Sequence, residues 1–370
     1  MDCGARCGST ARFDRCPPLT SYSPVRPPVR RLVRIALPIL LAYLVVCRVV
    51  ENRRIDRPLP RSQATATPPK LTATSLLDDL RTLSSDAFEG RATDTPGGRK
   101  AGDFVAARFR DLGLQSFGDR YDQPFAFDHR SLRALWRRDR PFVKHVDGRN
   151  VIGYVTGSAR ADEFLVLSAH YDHLGARNGE IYHGADDNAS GVAGLLAMAA
   201  YLRAHRPLHS IVFAAFDAEE LGVRGSKAFL DALPFPAQRL RLDINLDMIS
   251  RSADGRLFVA GTYQYPFLTP VVERAAEHAR IPIHLGHDRP LYLSGLIEDW
   301  TSGSDQRPFH ARGIPFLYFG VEDHSDYHKP SDTFDRIDRS FYLQACEVIL
   351  DAVLAADAPN APQIASLPGR

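Results

Sequence analysis

The stretch FLVLSAHYDH, residues 164–173, joins an apolar run directly to a cluster of histidine and aspartate. Three further runs, which are largely apolar, lead into the same residue types: SIVFAAFDAEE at 210–220, LRLDINLD at 240–247, and PFLYF at 315–319, upstream of His324, Asp326 and His328. Short apolar runs bounded by polar residues are typical of buried strands. In open α/β sheets, ligands bind at the carboxyl ends of the strands. The four runs therefore predict one sheet edge at which Asp, Glu and His side chains meet.

Strand-like and helix-like segments alternate along the chain from residue 150 onward. The predicted strands cover residues 150–154, 164–168, 210–216, 240–246 and 315–319, and the predicted helices cover residues 190–205, 226–233, 270–279 and 341–355. This alternation is typical of a parallel sheet covered by helices. We therefore predict a single α/β domain with a mixed, mostly parallel central sheet and helices on both faces.

The charge of the chain is unevenly distributed. Residues 1–62 carry twelve arginines and four acidic residues, a net charge of +8, whereas the whole 370-residue chain carries only +2. The remainder is therefore acidic, with a net charge of −6. Nucleic-acid-binding domains usually present a basic surface, so we expect no nucleic acid partner.

The N-terminal region predicts a membrane-directed segment followed by a linker. We assign residues 1–34 to a disordered basic N-terminus, 35–50 to a signal-anchor or signal-peptide segment, 51–70 to a linker, 71–358 to a catalytic domain and 359–370 to a disordered tail. The uncharged run at 35–47 is shorter than the ~20 residues that span a bilayer, and it suits the apolar core of an export signal. A buried core helix is the weaker alternative, because basic, proline-rich sequence flanks the run. We expect the protein to be membrane-anchored or exported, with its catalytic domain outside the cytoplasm, on the periplasmic side.

The acidic residues and histidines at the predicted sheet edge favour a divalent cation. Taken singly, Asp187 is also typical of a helix cap, the pair Glu219 and Glu220 of a solvated helix start, and His170 of a buried core histidine. Taken together, so many carboxylates would repel one another without a cation. Imidazole and carboxylate ligands without a thiolate suit zinc or a similar ion.

Five ordered motifs resemble the co-catalytic two-zinc peptidases, the relatives of bacterial leucyl aminopeptidases. They are SAHYD at 168–172, GADDNASG at 184–191, EELG at 219–222, NLDM at 245–248 and HSDYHKPSDT at 324–333. Two upstream segments, FEGR at 88–91 and NVIG at 150–153, also look like that family. The resemblance covers roughly residues 73–356 and is specific because all the motifs occur in order.

The resemblance implies a role for each matching residue. It implies two zinc ions with five protein ligands: His170 and Asp247 on one ion, Glu220 and His328 on the other, and Asp187 bridging both. Glu219 would be the general base, Asp172 would fix the tautomer of His170, and the Asp187–Asn188 peptide bond would be cis.

Several other residues near the motifs compete for roles in the site. His173, His183 and His324 have a ligating side chain but are less favoured than the five ligands. Tyr327 either donates to an oxyanion or simply packs. Gln306 stands where relatives often carry histidine. We expect this difference to alter the pocket rather than the binding of the metals.

The predicted function is hydrolysis of N-terminal residues from peptides with a free N-terminus, through a hydroxide that bridges the two metals. One rival is a single-zinc acyltransferase like the glutaminyl cyclases, and another is a non-catalytic, receptor-like binding protein. Carboxypeptidase or dipeptidase action stays open, because this fold hosts those activities too. A carboxypeptidase would need a basic residue for the terminal carboxylate; Arg177, Arg224 and Arg307 lie near the motifs.

Overall fold

A computed structural model describes residues 57–60, 68–130, 143–289 and 298–361. The predicted membrane-directed segment at 35–50 and the basic N-terminus at 1–34 lie outside these residues, as does nearly all of the predicted tail. The described residues fall within one compact unit of the chain. Among them, no helix has both the length and the apolar character that crossing a membrane requires.

The described residues form eleven strands and seven α-helices, with short single-turn helical segments between them. The strands are β1 Arg57–Pro58, β2 Asp122–Arg130, β3 Val143–Val155, β4 Arg160–His170, β5 Gly175–Arg177, β6 Glu180–Tyr182, β7 His209–Phe216, β8 Leu240–Leu246, β9 Leu257–Ala260, β10 Ile283–Leu285 and β11 Phe316–Gly320. The helices are α1 Ala73–Leu83, α2 Pro96–Asp111, α3 Gly191–Ala204, α4 Arg224–Asp231, α5 Thr269–Ala276, α6 Gln306–Ala311 and α7 Arg339–Asp357.

Nine of these strands make one mixed sheet in the order β1-β10-β9-β11-β8-β4-β7-β3-β2. Its centre is parallel from β7 through β4 and β8 to β11, and β9 and β10 are also parallel. The pairs β2–β3, β3–β7, β9–β11 and β1–β10 are antiparallel. Parallel pairing therefore dominates the centre, where the motifs lie, rather than the whole sheet.

Alternate side chains of the central strands pack into separate cores on the two faces of the sheet. Along β4, Leu165 and Leu167 join the larger core, which contains α1, α2, α3, α5 and α7. Phe164 and Val166 point the other way, into a smaller core with side chains of α4 and α6. This period of two is that of a strand buried on both faces. The predicted single α/β domain with a mixed sheet and helices on both faces is confirmed.

The edge of the sheet includes part of the segment predicted as a linker. Arg57 and Pro58 pair with β10, and the next residue, Leu59, is buried in the larger core. Pairing at Leu59 continues through its N–H, which donates to the Ile283 carbonyl at 2.9 Å. The linker prediction missed this strand because two residues are too few to show an alternating pattern.

Candidate metal centre

The parallel centre of the sheet brings the predicted ligands to one edge. His170 is the last residue of β4, Asp247 follows β8 directly, and Glu219 and Glu220 lie in the turn after β7. The register pairs His170 with Phe216 of β7 and Ser168 with Asn245 of β8, so these strands end at the same level. His328 reaches the edge from the loop after β11.

One group of three side chains converges around the His170 imidazole. Its Nε2 lies 3.4 Å from Asp187 Oδ1 and 3.3 Å from Asp247 Oδ1. These atoms are close enough together to hold one metal ion. Two tetrahedral zinc ligands with bonds of about 2.0–2.2 Å lie about 3.3–3.5 Å apart, so the spacing of this group fits zinc.

A second group converges on the other oxygen of the same aspartate. His328 Nε2 lies 3.1 Å from Asp187 Oδ2 and 3.4 Å from Glu220 Oε2. His173 Nδ1 also reaches this group, at 2.9 Å from Glu220 Oε1 and 3.6 Å from Asp187 Oδ2. The structure thus brings all five predicted ligands together and adds a residue that the sequence disfavoured.

The turn that carries Asp187 is held from both sides. The Asp332 carboxylate accepts the N–H groups of Asp186 at 3.1 Å and of Asp187 at 3.2 Å. Asn188 donates from its side chain to the Leu246 carbonyl at 2.8 Å and accepts from the Gly191 N–H at 2.9 Å. The Asp187–Asn188 peptide bond is cis, as the resemblance implied. These contacts set the Asp187 carboxylate between the two groups.

Asp172 positions the turn with the proposed base more directly than it positions His170. Its carboxylate accepts the backbone N–H of Glu219 at 3.0 Å and of Glu220 at 3.3 Å, and the Thr93 hydroxyl at 3.2 Å. The carboxylate is 3.7 Å from His170 Nδ1, whereas the backbone carbonyl of Asp172 is 3.2 Å from that atom. Asp172 therefore fixes the turn through its side chain and reaches the imidazole through its backbone.

Crowding of buried carboxylates dominates the electrostatics. Burial and the neighbouring charges of Asp305, Asp247 and Glu220 raise the pKa of Glu219 well above its usual range. Burial and Glu220 likewise raise the pKa of Asp187. Without a positive counter-charge, this repulsion disfavours the ionised form of the carboxylates in the site. A bound divalent cation would supply that counter-charge.

The pKa values of the two predicted histidine ligands are also raised, which favours the charged form of an imidazole. Burial opposes protonation of His328, but its contacts with Asp187 and Glu220 outweigh burial and raise its pKa to about 10. The pKa of His170 is raised well above its usual range for the same reason, chiefly by Asp247 against the effect of burial. Both imidazoles must be neutral to bind a metal, so metal binding must release protons here.

Sequence reasoning missed Arg91, which carries a buried positive charge beneath the site. Its guanidinium is wholly buried, and its hydrogen bonds with the described residues all go to backbone carbonyls. The acceptors are the carbonyls of Tyr171 at 2.8 Å, Leu83 at 2.9 Å, His183 at 2.6 Å, Gly184 at 2.8 Å and Asp187 at 3.4 Å. The FEGR segment was the available signal, but nothing local to it shows that an arginine would turn inward.

The remaining candidates lie beside the two groups or away from them. The Tyr327 ring stacks on the His328 ring with centroids 3.9 Å apart, so packing explains its position. Gln306 is buried and accepts from the Asn245 amide at 2.9 Å, beneath the sheet edge. His183 pairs with Asp86 at 2.8 Å and His324 with Asp186 at 3.1 Å.

Comparison with known proteins points to one family. Residues 150–353 match the model of peptidase family M28. Aminopeptidase YwaD of Bacillus subtilis is 29% identical over 219 residues, which cover 56% of this chain and 44% of that protein. The chain spans less than half the length of the first curated relatives that it matches.

Solved structures share the fold at lower sequence identity. An aminopeptidase from Aneurinibacillus sp. strain AM-1 superimposes with a TM-score of 0.62 at 18% identity, covering 81% of this chain and 97% of that one. A glutaminyl cyclase from Porphyromonas gingivalis gives 0.57 at 20% identity, covering 77% of this chain and 99% of that one. One fold thus carries both a peptidase and a cyclase, and the choice between them rests on the site.

Proposed function

This chain belongs to peptidase family M28, and we propose that it is a two-zinc exopeptidase that removes residues from the free N-terminus of peptides. One observation carries the proposal. The Asp187 carboxylate presents Oδ1 to His170 at 3.4 Å and Oδ2 to His328 at 3.1 Å. A carboxylate with one oxygen in each of two ligand groups is suited to bridge two ions.

The two groups have the ligand chemistry that zinc prefers. Each offers an imidazole and at least one carboxylate besides the shared Asp187, and no thiolate. When bound, two such cations lower the pKa of water and polarise a carbonyl group. His170, Asp187 and Asp247 would hold one ion; Asp187, Glu220 and His328 would hold the other.

Glu219 is the proton carrier of the proposed reaction. Its carboxyl group would accept a proton from water and return it to the leaving amine. Asp172 fixes the backbone N–H groups of Glu219 and Glu220, so base and ligand are held on one rigid turn. Asp172 is therefore a positioning residue in this proposal.

Charge at the site favours a cationic substrate terminus. Asp323 and Glu298 are two further acidic residues, and Asp323 interacts electrostatically with both Glu298 and the proposed ligand His328. Acidic groups beside the ligands attract an ammonium group. Binding that ammonium would set which peptide bond meets the reacting groups.

Two of the arginines considered for a carboxypeptidase are engaged elsewhere. The Arg177 guanidinium lies over the Tyr182 ring and donates to the Leu174 carbonyl at 3.0 Å. Arg224 lies over the Phe127 ring and donates to the Leu221 carbonyl at 3.3 Å. These contacts support the aminopeptidase over an enzyme that anchors a terminal carboxylate.

The main rival, a single-zinc cyclase, would need only the group around Glu220 and His328. The other group, with His170 Nε2 3.3 Å from Asp247 Oδ1, supports the two-metal peptidase. Metal content decides between them: the full chain, loaded with zinc and dialysed, should retain two ions per chain. One ion at saturation would contradict the two-zinc proposal.

The substrate assignment is tested with two matched compounds. The loaded full chain should cleave an aminoacyl anilide and leave its N-acetylated form intact, because acetylation removes the ammonium. Equal rates on both would reject aminopeptidase action and leave a two-zinc hydrolase. Cleavage of neither, with two ions bound, would favour a carboxypeptidase, a dipeptidase or the receptor-like binding protein.

We also propose that residues 35–50 direct the protein to a membrane and place its catalytic domain on the outer side. The support is the uncharged run at 35–47 behind seven arginines. Fractionation of cells that express the full chain should find it in the membrane or outside the cytoplasm. A wholly cytosolic, soluble chain would contradict this proposal, and the N-terminal sequence of the mature protein would separate a cleaved signal from an anchor.

A further inference from the structure

His173 lies beside the second ligand group but belongs to neither of the proposed ligand sets. Its side chain is 0% exposed, and neither ring nitrogen has a hydrogen-bond partner among the described residues. Nδ1 nevertheless lies 2.9 Å from Glu220 Oε1, another buried atom without a hydrogen-bond partner. Two unpartnered polar atoms are therefore buried within close reach of each other.

An ordinary core histidine does not explain this arrangement. A neutral imidazole carries one N–H donor and one acceptor nitrogen, and a buried polar group without a partner costs about 1–3 kcal/mol. At 2.9 Å a hydrogen bond to Glu220 would be short enough, but the ring is not aligned to make one. His173, Asp187 and Glu220 do offer ligand atoms that lie close enough together to hold one metal ion.

The surrounding backbone holds the His173 ring in this orientation. A Cβ on Gly184 would lie 2.5 Å from His173 Cδ2, so the ring packs directly on that glycine. Gly184 has φ +55, a backbone conformation that favours glycine. The His173 N–H donates to the Arg91 carbonyl at 3.3 Å. The ring therefore stays directed toward Glu220 and Asp187.

We infer that His173 is an additional ligand of the metal ion held by Asp187, Glu220 and His328. This inference rests on the two-zinc proposal and adds to it. The distances from His173 Nδ1, 2.9 Å to Glu220 Oε1 and 3.6 Å to Asp187 Oδ2, bracket the spacing of about 3.3–3.5 Å for tetrahedral zinc ligands.

An additional ligand makes the two metal positions unequal. The position at Glu220 then has four protein side chains and the position at His170 and Asp247 has three; five-coordinate zinc at Glu220 would still admit a bridging hydroxide. The ion at Glu220 should therefore bind more tightly, and the ion at His170 should exchange first.

The test uses the full chain with His173→Asn and a matched control, His183→Asn. His183 is a nearby histidine that pairs with Asp86 and belongs to neither group. Each protein is stripped, loaded with Co²⁺ or Zn²⁺ alone, and titrated against a competing chelator. The visible absorption of the cobalt proteins reports coordination number and ligand type.

In the wild type and in His183→Asn, we expect two ions, one held much more tightly than the other. His173→Asn should change the cobalt spectrum and weaken the tighter site by more than about 100-fold, beyond the 10–100-fold typical of losing an outer-sphere partner. Circular dichroism of the stripped proteins checks that the variant folds. Should it not fold, zinc X-ray absorption of the wild type decides by counting imidazoles, about 1.5 per zinc with His173 bound and about 1 without it.

An unchanged cobalt spectrum or a smaller loss of affinity in a folded His173→Asn overturns the inference and makes His173 an outer-sphere residue. An imidazole count near one per zinc does the same. Fewer than two ions in the wild type would instead reject the two-zinc proposal itself, so the two failures are distinguishable.

Discussion

Replacing Arg91 by methionine removes a buried charge whose hydrogen bonds all lead to the backbone around the metal centre. Methionine fills much of the same volume but donates nothing. Four of the five contacts are 2.9 Å or shorter. One of those acceptors, the Gly184 carbonyl, keeps a second donor, the Ala189 N–H at 3.2 Å. The substitution thus takes the arginine donor from three carbonyls for which no second donor is evident: those of Leu83, Tyr171 and His183.

The magnitude follows from two opposing contributions. A buried carbonyl left without a partner costs about 1–3 kcal/mol; with about 2 kcal/mol each for the buried carbonyls of Leu83 and Tyr171 and about 1 for the part-buried carbonyl of His183, the loss is about 5 kcal/mol. Burial lowers the pKa of Arg91 to about 10. This shift corresponds to a destabilisation of about 3 kcal/mol for the charged guanidinium in the folded protein, which the methionine variant does not have. We expect the free energy of unfolding to fall by about 2 kcal/mol.

Urea unfolding of the metal-free full chain, followed by circular dichroism, measures this loss. Arg91→Lys should recover part of it, because an ammonium keeps the charge and up to three donors. Arg177→Met removes an exposed arginine from the neighbouring hairpin and should cost less than about 1 kcal/mol. If Arg91→Met unfolds within about 1 kcal/mol of the wild type and binds zinc equally well, Arg91 does not support the site as argued.

Three further substitutions test the site and its electrostatics. Glu219→Gln should keep both metals while kcat falls by about 10²–10⁴-fold, and activity within a few-fold of the wild type would remove Glu219 as the base. Asp187→Ala should lose both ions together in metal analysis, whereas loss of one ion alone would contradict a bridging role. Burial raises the pKa of Asp243 well above its usual range, so Asp243 loses its proton at a lower pH in the unfolded chain than in the folded one. Its ionisation therefore lowers the free energy of unfolding of the wild type as the pH rises above about 4, by up to about 1.4 kcal/mol per pH unit. Asp243→Asn should therefore match the metal-free wild type near pH 4 and gain thermal stability over it toward pH 8; a gain independent of pH would refute the assignment.

The central sheet was predictable because its pattern is local. The run at 164–168 falls within β4, that at 240–246 coincides with β8, and the run at 210–216 fits β7 to within one residue. Short apolar runs between polar segments suffice to locate buried strands. The residue types that follow each strand could also be predicted from the local sequence, and they indicated a cation site at the sheet edge.

Two features of the site were decided by contacts that the sequence pattern does not show. His173 and His183 are equivalent by residue type, and only the packing of the His173 ring on Gly184 directs it to Glu220. The role of Asp172 depends on the turn after β7 meeting the end of β4, where its carboxylate accepts two backbone N–H groups.

The sequence by itself determined that carboxylates and imidazoles gather at the carboxyl ends of parallel strands, because residue type and strand period are local properties of the chain. The tertiary structure decided which atoms face one another. Asp187 divides its two oxygens between His170 and His328, and Arg91 turns inward beneath them. Hydrogen bonds and metal ligand groups require interatomic distances that are correct to within a few tenths of an ångström. The atoms concerned belong to segments far apart in sequence, and only the packed fold sets the distances between them.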